Sequence, residues 1–368
     1  MTIITEHSIA LPIDLPSKDV HAKMDIFYNP VMISNRNISI LLLNTINTKE
    51  LQIADPLAGS GIRSLRFIKE LAAGKIGRLC VNDLKPNFPS YFTKRLKDSK
   101  IKKTDKIIIE NKEASRFLLD QAGFDYIDLD PFGSPNPFLG AAIARLSREG
   151  FLAITATDTA ALTGTYPQVT RRKYWAEPMH NYLMHEIGLR ILIRKIQLQG
   201  IQFDKALTPL LSYHKEHYFR IYFQASKGKE KCDALVKQHQ YFLHCSSCLQ
   251  FKNSGYNSEK CSCGKQFSVA GPLSIGALTD QKLIRKMAKN NLFPEETAFL
   301  DLLATEATIP QIGYYDLHEI ARKLKKDPPR MENILKKIKA VRTHFSGTGI
   351  KTMASLEEIK KEFFPIHR

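Results

Sequence analysis

Asp55-Pro-Leu-Ala-Gly59-Ser-Gly61-Ile-Arg63 follows a short apolar run, Leu51 to Asp55, and leads into a segment with helical spacing. Glycines at such a turn let the backbone approach a ligand closely, and the helix behind it offers free N–H groups at its N-terminus. About 20 residues further on, a second apolar run ends at Asp83, where an acidic side chain can accept both ribose hydroxyls of a nucleoside. A third run is followed by Glu113. The turn has neither the G-x-G-x-x-G order of dinucleotide sites nor the G-K-[ST] ending of a phosphate loop. A nucleoside without phosphates, such as S-adenosylmethionine, suits it better.

Outward from this turn, short runs rich in Ile, Val and Leu alternate with longer segments of helical spacing. Strands are expected at Leu51 to Asp55, Arg78 to Asp83, Lys106 to Glu110, Phe124 to Asp130 and Phe151 to Thr157, with crossover helices starting near Gly61, Asn87, Ala114 and Pro135. A helix over Tyr182 to Leu198 and two more strands, Ala206 to Tyr213 and Tyr218 to Ala225, complete an α/β, doubly wound sheet of seven strands. The polar SKGKEK at Ser226 to Lys231 reads as a domain boundary, dividing the chain into residues 1–230 and a mixed C-terminal domain, 231–368.

With 368 residues, 43% hydrophobic and 25% charged, the chain is globular and long enough for two cores. It has no stretch approaching the roughly 20 apolar residues of a membrane span. Met1 to Lys23 lacks the charged head and apolar block of a signal peptide, and a cytoplasmic location is expected. The net charge of +17 points to a polyanionic partner. Nine basic residues face only Asp327 and Glu332 between Arg322 and Arg342. Cys245, Cys248, Cys261 and Cys263 form a C-x2-C…C-x-C cluster, and without a secretory signal this spacing favours a structural zinc held by four thiolates over disulfides. Four ligands leave no open position for a catalytic water.

The fourth strand ends in Asp128-Leu-Asp130-Pro131-Phe132-Gly133-Ser134-Pro135. A carboxylate, a proline carbonyl and an aromatic ring at a strand end provide acceptors for an amino group and a flat face on which a base can stack. An exocyclic base amine is a poor nucleophile because its lone pair is delocalised into the ring. Acceptance of its hydrogen by Asp130 favours a more nucleophilic nitrogen. His185, His217 and His344 sit among apolar neighbours and read as structural histidines.

Taken together, these segments resemble the tRNA (guanine-26 N2)-dimethyltransferase family of class I methyltransferases. The resemblance rests on FYNPVMISNRNIS at Phe27, ADPLAGSGIRSLRF at Ala54, DLDPFGSP at Asp128, TATDTAALTGTY at Thr155, RRKYWAEP at Arg171, HEIGLRIL at His185, LLSYHKEHYFRIYF at Leu210, YYDLHEIARKLKKDPP at Tyr314 and RTHFSGTGIKT at Arg342. It implies a Rossmann-like seven-stranded sheet, S-adenosyl-L-methionine as cofactor, tRNA as partner and no obligate protein partner. By the same resemblance Arg36 and Arg63 would hold the methionine carboxylate, Asp83 the ribose, and Glu113 with Ala114 the adenine. Phe27 and Phe132 would bracket the flipped guanine, with Asp130 accepting its amino hydrogen. Glu113 stands where the family usually has Asp.

Two other readings remain at this level. An amino-methyltransferase acting on adenine or cytosine in another nucleic acid would use a similar acid-Pro-aromatic strand end. A non-catalytic basic RNA-binding protein would keep the charge without needing the pocket.

Overall fold

The seven expected strands form because their β-branched and aromatic residues are covered by helices on both faces of one sheet. The computed structural model describes residues 2–13 and 27–364, so Asp14, Asp19 and His21 of the leading segment lie outside the described residues. In chain order the sheet contains β1 (Leu51–Asp55), β2 (Ile76–Asn82), β3 (Ile107–Glu110), β4 (Phe124–Leu129), β5 (Leu146–Ala156), β6 (Lys205–Lys215) and β7 (Tyr218–Lys227). Their spatial order is β3-β2-β1-β4-β5-β7-β6. The first five are parallel, and β7 runs antiparallel to both of its neighbours. Strand order reverses between β1 and β4, so the crevice outside their carboxyl ends is the ligand position of such a sheet.

Two boundaries differ from expectation for identifiable reasons. β5 starts at Leu146 and not at Phe151, because an irregular pairing between Phe124 and Tyr126 lets the polar Arg148 and Glu149 continue the strand in solvent. The helix expected near Pro135 begins as a 3-10 turn, Asn136–Phe138, and becomes α-helical only over Leu139–Arg145. Pro135 and Pro137 sit at the N-cap and in the first turn, where proline costs no helix hydrogen bond, and the Phe138 N–H closes the tighter turn on the Pro135 carbonyl at 3.0 Å.

An N-terminal hairpin, Thr2–Glu6 with Ile9–Ile13, and the helix Ile33–Thr45 close over the sheet near β1. That helix buries Asn35, Arg36, Asn37 and Ser39 as well as its apolar residues. Such polar burial erases the amphipathic pattern by which a sequence reveals a helix.

In the second half, strand His239–His244 lies between Phe251–Ser254 and Ser268–Ser274. The cysteines occupy the two loops joining these strands. Helices Gln281–Lys289 and Thr297–Glu306 follow, then a small sheet of Tyr315–Asp316, Ser346–Lys351 and Val341–Thr343 flanked by helices Leu317–Leu324, Met331–Lys337 and Leu356–Phe363. The expected boundary at residue 230 falls within the helix Lys229–Val236. Apolar packing continues across it. Phe242, Leu273, Tyr314 and Phe345 share a buried cluster with Ile154, Leu189 and Phe219, while Ile284, Met287 and Leu300 share another with Leu211 and Tyr213. Leu317, Ile320, Ile334, Ile350 and Ile359 form a third cluster made from C-terminal elements. Among the described residues no helix is long and apolar enough to cross a membrane.

Candidate active site

The turn after β1 holds Gly59 and Gly61 at φ 57° and 70°, a region other residues enter only with strain. Space decides equally: a Cβ at Gly61 would lie 2.4 Å from the Phe92 ring, and one at Gly59 would lie 3.0 Å from the Phe27 carbonyl oxygen. The Gly59 N–H donates to Asp83 Oδ2 at 2.8 Å, and Lys85 N–H donates to Asp83 Oδ1 at 3.0 Å. Asn82 fastens the neighbouring strand ends, its Nδ2 donating to the carbonyls of Pro56 (3.0 Å) and Lys112 (2.9 Å). Asn111 adds a bond from Nδ2 to the Asp83 carbonyl at 2.7 Å. Sequence reasoning missed both asparagines, since Asn at a strand end reads as an ordinary turn residue.

A cavity of about 230 Å³ opens at the carboxyl ends of β1 and β4. Its wall includes Phe27, Arg36, Arg63, Asp130 and Phe132 from the expected set, together with Asp55 and His217. Asp83, Glu113 and Ala114 stand outside that wall, after β2 and β3. His217 is exposed at the cavity, contrary to its expected structural role. The structural reading fits His344, whose Nδ1 lies 2.5 Å from Glu306 Oε2, and His185, whose Nδ1 lies 3.1 Å from Nδ1 of His214.

Both cavity arginines are held by protein carboxylates. Arg63 donates from Nη1 to Asp128 Oδ2 (3.2 Å) and Ser39 Oγ (3.1 Å), and from Nη2 to Asn35 Oδ1 (3.0 Å) and Asp130 Oδ2. Asp128 is fully buried and also accepts a fork from Arg220, at 2.9 and 2.7 Å, and the Tyr126 hydroxyl at 2.7 Å. Burial by itself would raise the Asp128 carboxyl, but Arg220 and Arg63 reverse this and keep it below the usual carboxylate range. Asp55 behaves differently: burial pushes its carboxyl up to about 7, against the opposing pull of Arg63 and of the Ser64 hydroxyl at 2.7 Å. Arg36 forks Glu6 from Nε (2.7 Å) and Nη2 (2.6 Å), leaving Nη1 without a protein partner among the described residues. Glu6 takes Arg66 as well, at 2.8 Å, and the Tyr28 hydroxyl at 3.0 Å. No sequence signal marked Glu6, because its partners lie 22 to 60 positions away.

Phe27 and Phe132 meet edge to face, with ring centroids 4.3 Å apart and planes at 66°. A base stacked between two rings needs them about 7 Å apart, two contact distances. Phe132 is 49% exposed, so the ring nearer to Asp130 is the one with room to swing outward. Glu113 caps the helix Ala114–Leu119, its carboxylate accepting from Arg116 N–H at 2.9 Å. Ala114, at the first helical position, presents an N–H with no intrahelical acceptor.

The donor set fits the cofactor expected from the sequence. Asp83 has used two of about four acceptor positions, and the others could take ribose hydroxyls. Arg36 Nη1 remains for a carboxylate. The four cysteine sulfurs lie within 4.8 Å of one another, with Cys245 to Cys263 at 3.5 Å and Cys248 to Cys261 at 3.4 Å. A zinc tetrahedron with Zn–S near 2.3 Å has edges of about 3.8 Å, so the cluster fits that ion and no disulfide is formed.

Comparison with known proteins places nearly the whole chain in one family. Residues 5–363 match the family model described as N2,N2-dimethylguanosine tRNA methyltransferase. A tRNA (guanine(26)-N(2)/guanine(27)-N(2))-dimethyltransferase of Aquifex aeolicus is 36% identical over 98% of this chain and 95% of its own length. The tRNA (guanine(26)-N(2))-dimethyltransferase of Methanothermobacter thermautotrophicus is 33% identical, with 98% of both chains covered. The structure of Trm1 from Pyrococcus horikoshii with S-adenosyl-L-methionine superposes with a TM-score of 0.86 at 30% identity, covering 98% of this chain and 99% of that one. The chain belongs to the N2,N2-dimethylguanosine tRNA methyltransferase family.

Proposed function

We propose that this protein transfers two methyl groups in succession from S-adenosyl-L-methionine to the exocyclic amine of a guanosine in tRNA, at position 26. The observation that carries the reading is Asp130: a carboxylate at the switch point of the sheet, oriented by Arg63 and flanked by Phe27 and Phe132. Family membership supplies the substrate class, and the cytoplasm is the compartment that goes with it.

When bound, S-adenosyl-L-methionine supplies an electrophilic methyl carbon on a sulfonium. The protein's own task is positioning, which can account for much of a barrier. Asp83 receives the ribose hydroxyls, Arg36 Nη1 the methionine carboxylate, and the Ala114 N–H, at the helix that Glu113 caps, the adenine edge. Phe27 and Phe132 part to admit the extruded guanine. Asp130 would accept a hydrogen bond from its amine and take the proton as the methyl carbon leaves the sulfonium sulfur for the nitrogen, and would release that proton to solvent before the second transfer. Arg63, anchored on Asp128, Ser39 and Asn35, keeps the Asp130 carboxylate in place between turnovers. After the first transfer the amine keeps one hydrogen for Asp130, and the second transfer repeats the geometry. The C-terminal residues, 231–368, grip the tRNA through their basic surface, and a zinc on the four cysteines stiffens the loops of their small sheet.

Incubation of unmodified tRNA with protein and cofactor, followed by mass spectrometry of the nucleosides, tests this reading. N2,N2-dimethylguanosine at position 26 is expected, and the same spectrum reveals whether position 27 reacts. Methylated adenosine or cytidine in its place would transfer the assignment to another base, and cofactor binding without any product would remove the enzyme reading altogether.

A further inference from the structure

The segment Tyr166 to Trp175 carries charge and aromatic surface that methyl transfer itself leaves without a task. Between Thr159 and Ala176 the sequence has no acidic residue, while the last turn of the helix Pro167–Tyr174 carries Arg171, Arg172 and Lys173, all exposed. Glu177 engages Arg171 at 2.7 and 2.9 Å. Arg172 and Lys173 have no ion-pair partner among the described residues. Tyr166 is 57% exposed at one end of this helix, and Trp175 is 49% exposed at the other.

Trp175 caps the C-terminus of this helix at a left-handed φ of 55°, its N–H donating to the Arg171 carbonyl at 3.1 Å. The indole is fixed from the neighbouring helix: Lys195 Nζ sits 3.0 Å from its centroid, and Arg194 Nη1 donates to the Trp175 carbonyl at 3.3 Å. Lys195 therefore occupies one face of the ring, and the exposed half of its surface remains for another partner.

The same helix is bolted to the loop that follows Asp130. The Tyr174 hydroxyl donates to Asp158 at 2.6 Å and lies 2.9 Å from Ser134 Oγ. Asn136 Nδ2 donates to the Lys173 carbonyl at 3.0 Å. Gly133 N–H donates to Thr157 Oγ1 at 2.7 Å, which ties the loop to the end of β5. Basic residues at a helix C-terminus also complement its dipole, but that role does not account for an exposed indole.

We propose that Arg172, Lys173 and Trp175 form a contact platform for the RNA strand beside the extruded guanosine, with phosphates on the two cations and a base on the free surface of the indole. Extrusion leaves neighbouring bases unstacked, and an aromatic ring accepts any of them without reading sequence. The proposal rests on the tRNA reading above and adds the surface that docks the substrate strand to the catalytic loop.

Trp175 is the chain's one tryptophan, so indole emission reports this site alone. Titration of the full-length protein with an unmodified tRNA transcript should quench the emission saturably, with a midpoint equal to the dissociation constant from filter binding. Trp175→Ala should weaken tRNA binding about 5- to 100-fold, and Trp175→Phe should restore most of it. Arg172→Gln with Lys173→Gln should flatten the slope of log affinity against log salt by about 1.5. Cofactor affinity should stay unchanged in all three. Unquenched emission at saturating tRNA, or wild-type tRNA affinity in both the Ala and the double Gln variants, overturns the platform. If such a protein still methylates tRNA, only the platform falls. Quenching by tRNA without methylated product would instead remove the enzyme reading and keep the platform.

Discussion

Replacing Asp130 by Ala separates catalysis from cofactor binding and from folding, because the proposed roles fall on different groups. Loss of this carboxylate leaves Arg63 with Asp128 at 3.2 Å, Ser39 at 3.1 Å and Asn35 at 3.0 Å, so the buried cation stays compensated. The stability cost is then that of one charged hydrogen bond at a side chain 19% exposed, about 1.5 to 3 kcal/mol. Asp128→Asn is the contrast: it removes a carboxylate shared by Arg63 and Arg220, and about 3 to 5 kcal/mol is expected. For turnover, an amine without its acceptor in a partly desolvated site loses roughly 2 to 4 kcal/mol of transition-state stabilisation, about 30- to 1000-fold in rate. Single-turnover methylation of tRNA measures the rate, calorimetry the cofactor affinity, and thermal melting the fold. Asp130→Ala should be slow, folded and unchanged toward cofactor. Wild-type turnover refutes the acceptor role, and a loss of cofactor affinity matching the loss of rate moves Asp130 from the amine to the cofactor.

Asp83→Ala should do the reverse, weakening cofactor binding by roughly 1.5 to 3 kcal/mol with a smaller effect at saturation; unchanged affinity in calorimetry would place the ribose elsewhere. Cys245→Ser with Cys248→Ser should release one zinc per chain by elemental analysis and melt the small sheet of His239–His244 first, and native protein prepared without chelator but free of zinc would contradict this. Burial would raise the Glu306 carboxyl, but His344, Lys351 and Thr343 hold it at about 2, below its ordinary 4.5. Its stabilising contribution is therefore complete above pH 4.5 and lost as pH falls toward 2, up to about 3 kcal/mol, so Glu306→Gln should flatten that part of the urea-midpoint profile. Neutralising Lys325, Lys326, Lys336 and Lys337 should weaken tRNA binding and its salt dependence with cofactor affinity unchanged, and an unaltered log–log salt slope would leave these lysines as surface charge.

How legible this site was in sequence depends on whether neighbours along the chain or across the fold decide a residue's role. The strands were readable because Ile53, Val81, Ile127 and Ile154 are buried on a sheet covered from both sides, so composition alone marks them. Asp83 and Asp130 were readable because a parallel strand must deliver its last residue to the same edge as its neighbours. The start of β5 was not readable, because exposed Arg148 and Glu149 lie in an irregular stretch between the paired Leu146 and Phe151. Arg63 shows the deeper limit. Its place after the glycine turn is set locally, but its guanidinium is claimed by Asp128, Asp130, Asn35 and Ser39, contributed by β4 and by a helix that sequence periodicity did not reveal. A motif thus locates a cation without saying which anion it will serve. For Arg36 the anion is Glu6 on the N-terminal hairpin, and Nη1 is left without a protein partner among the described residues. The consequence is chemical: of the two arginines expected to hold one carboxylate, Arg63 already engages Asp128 and Asp130, while Arg36 keeps this unpartnered Nη1.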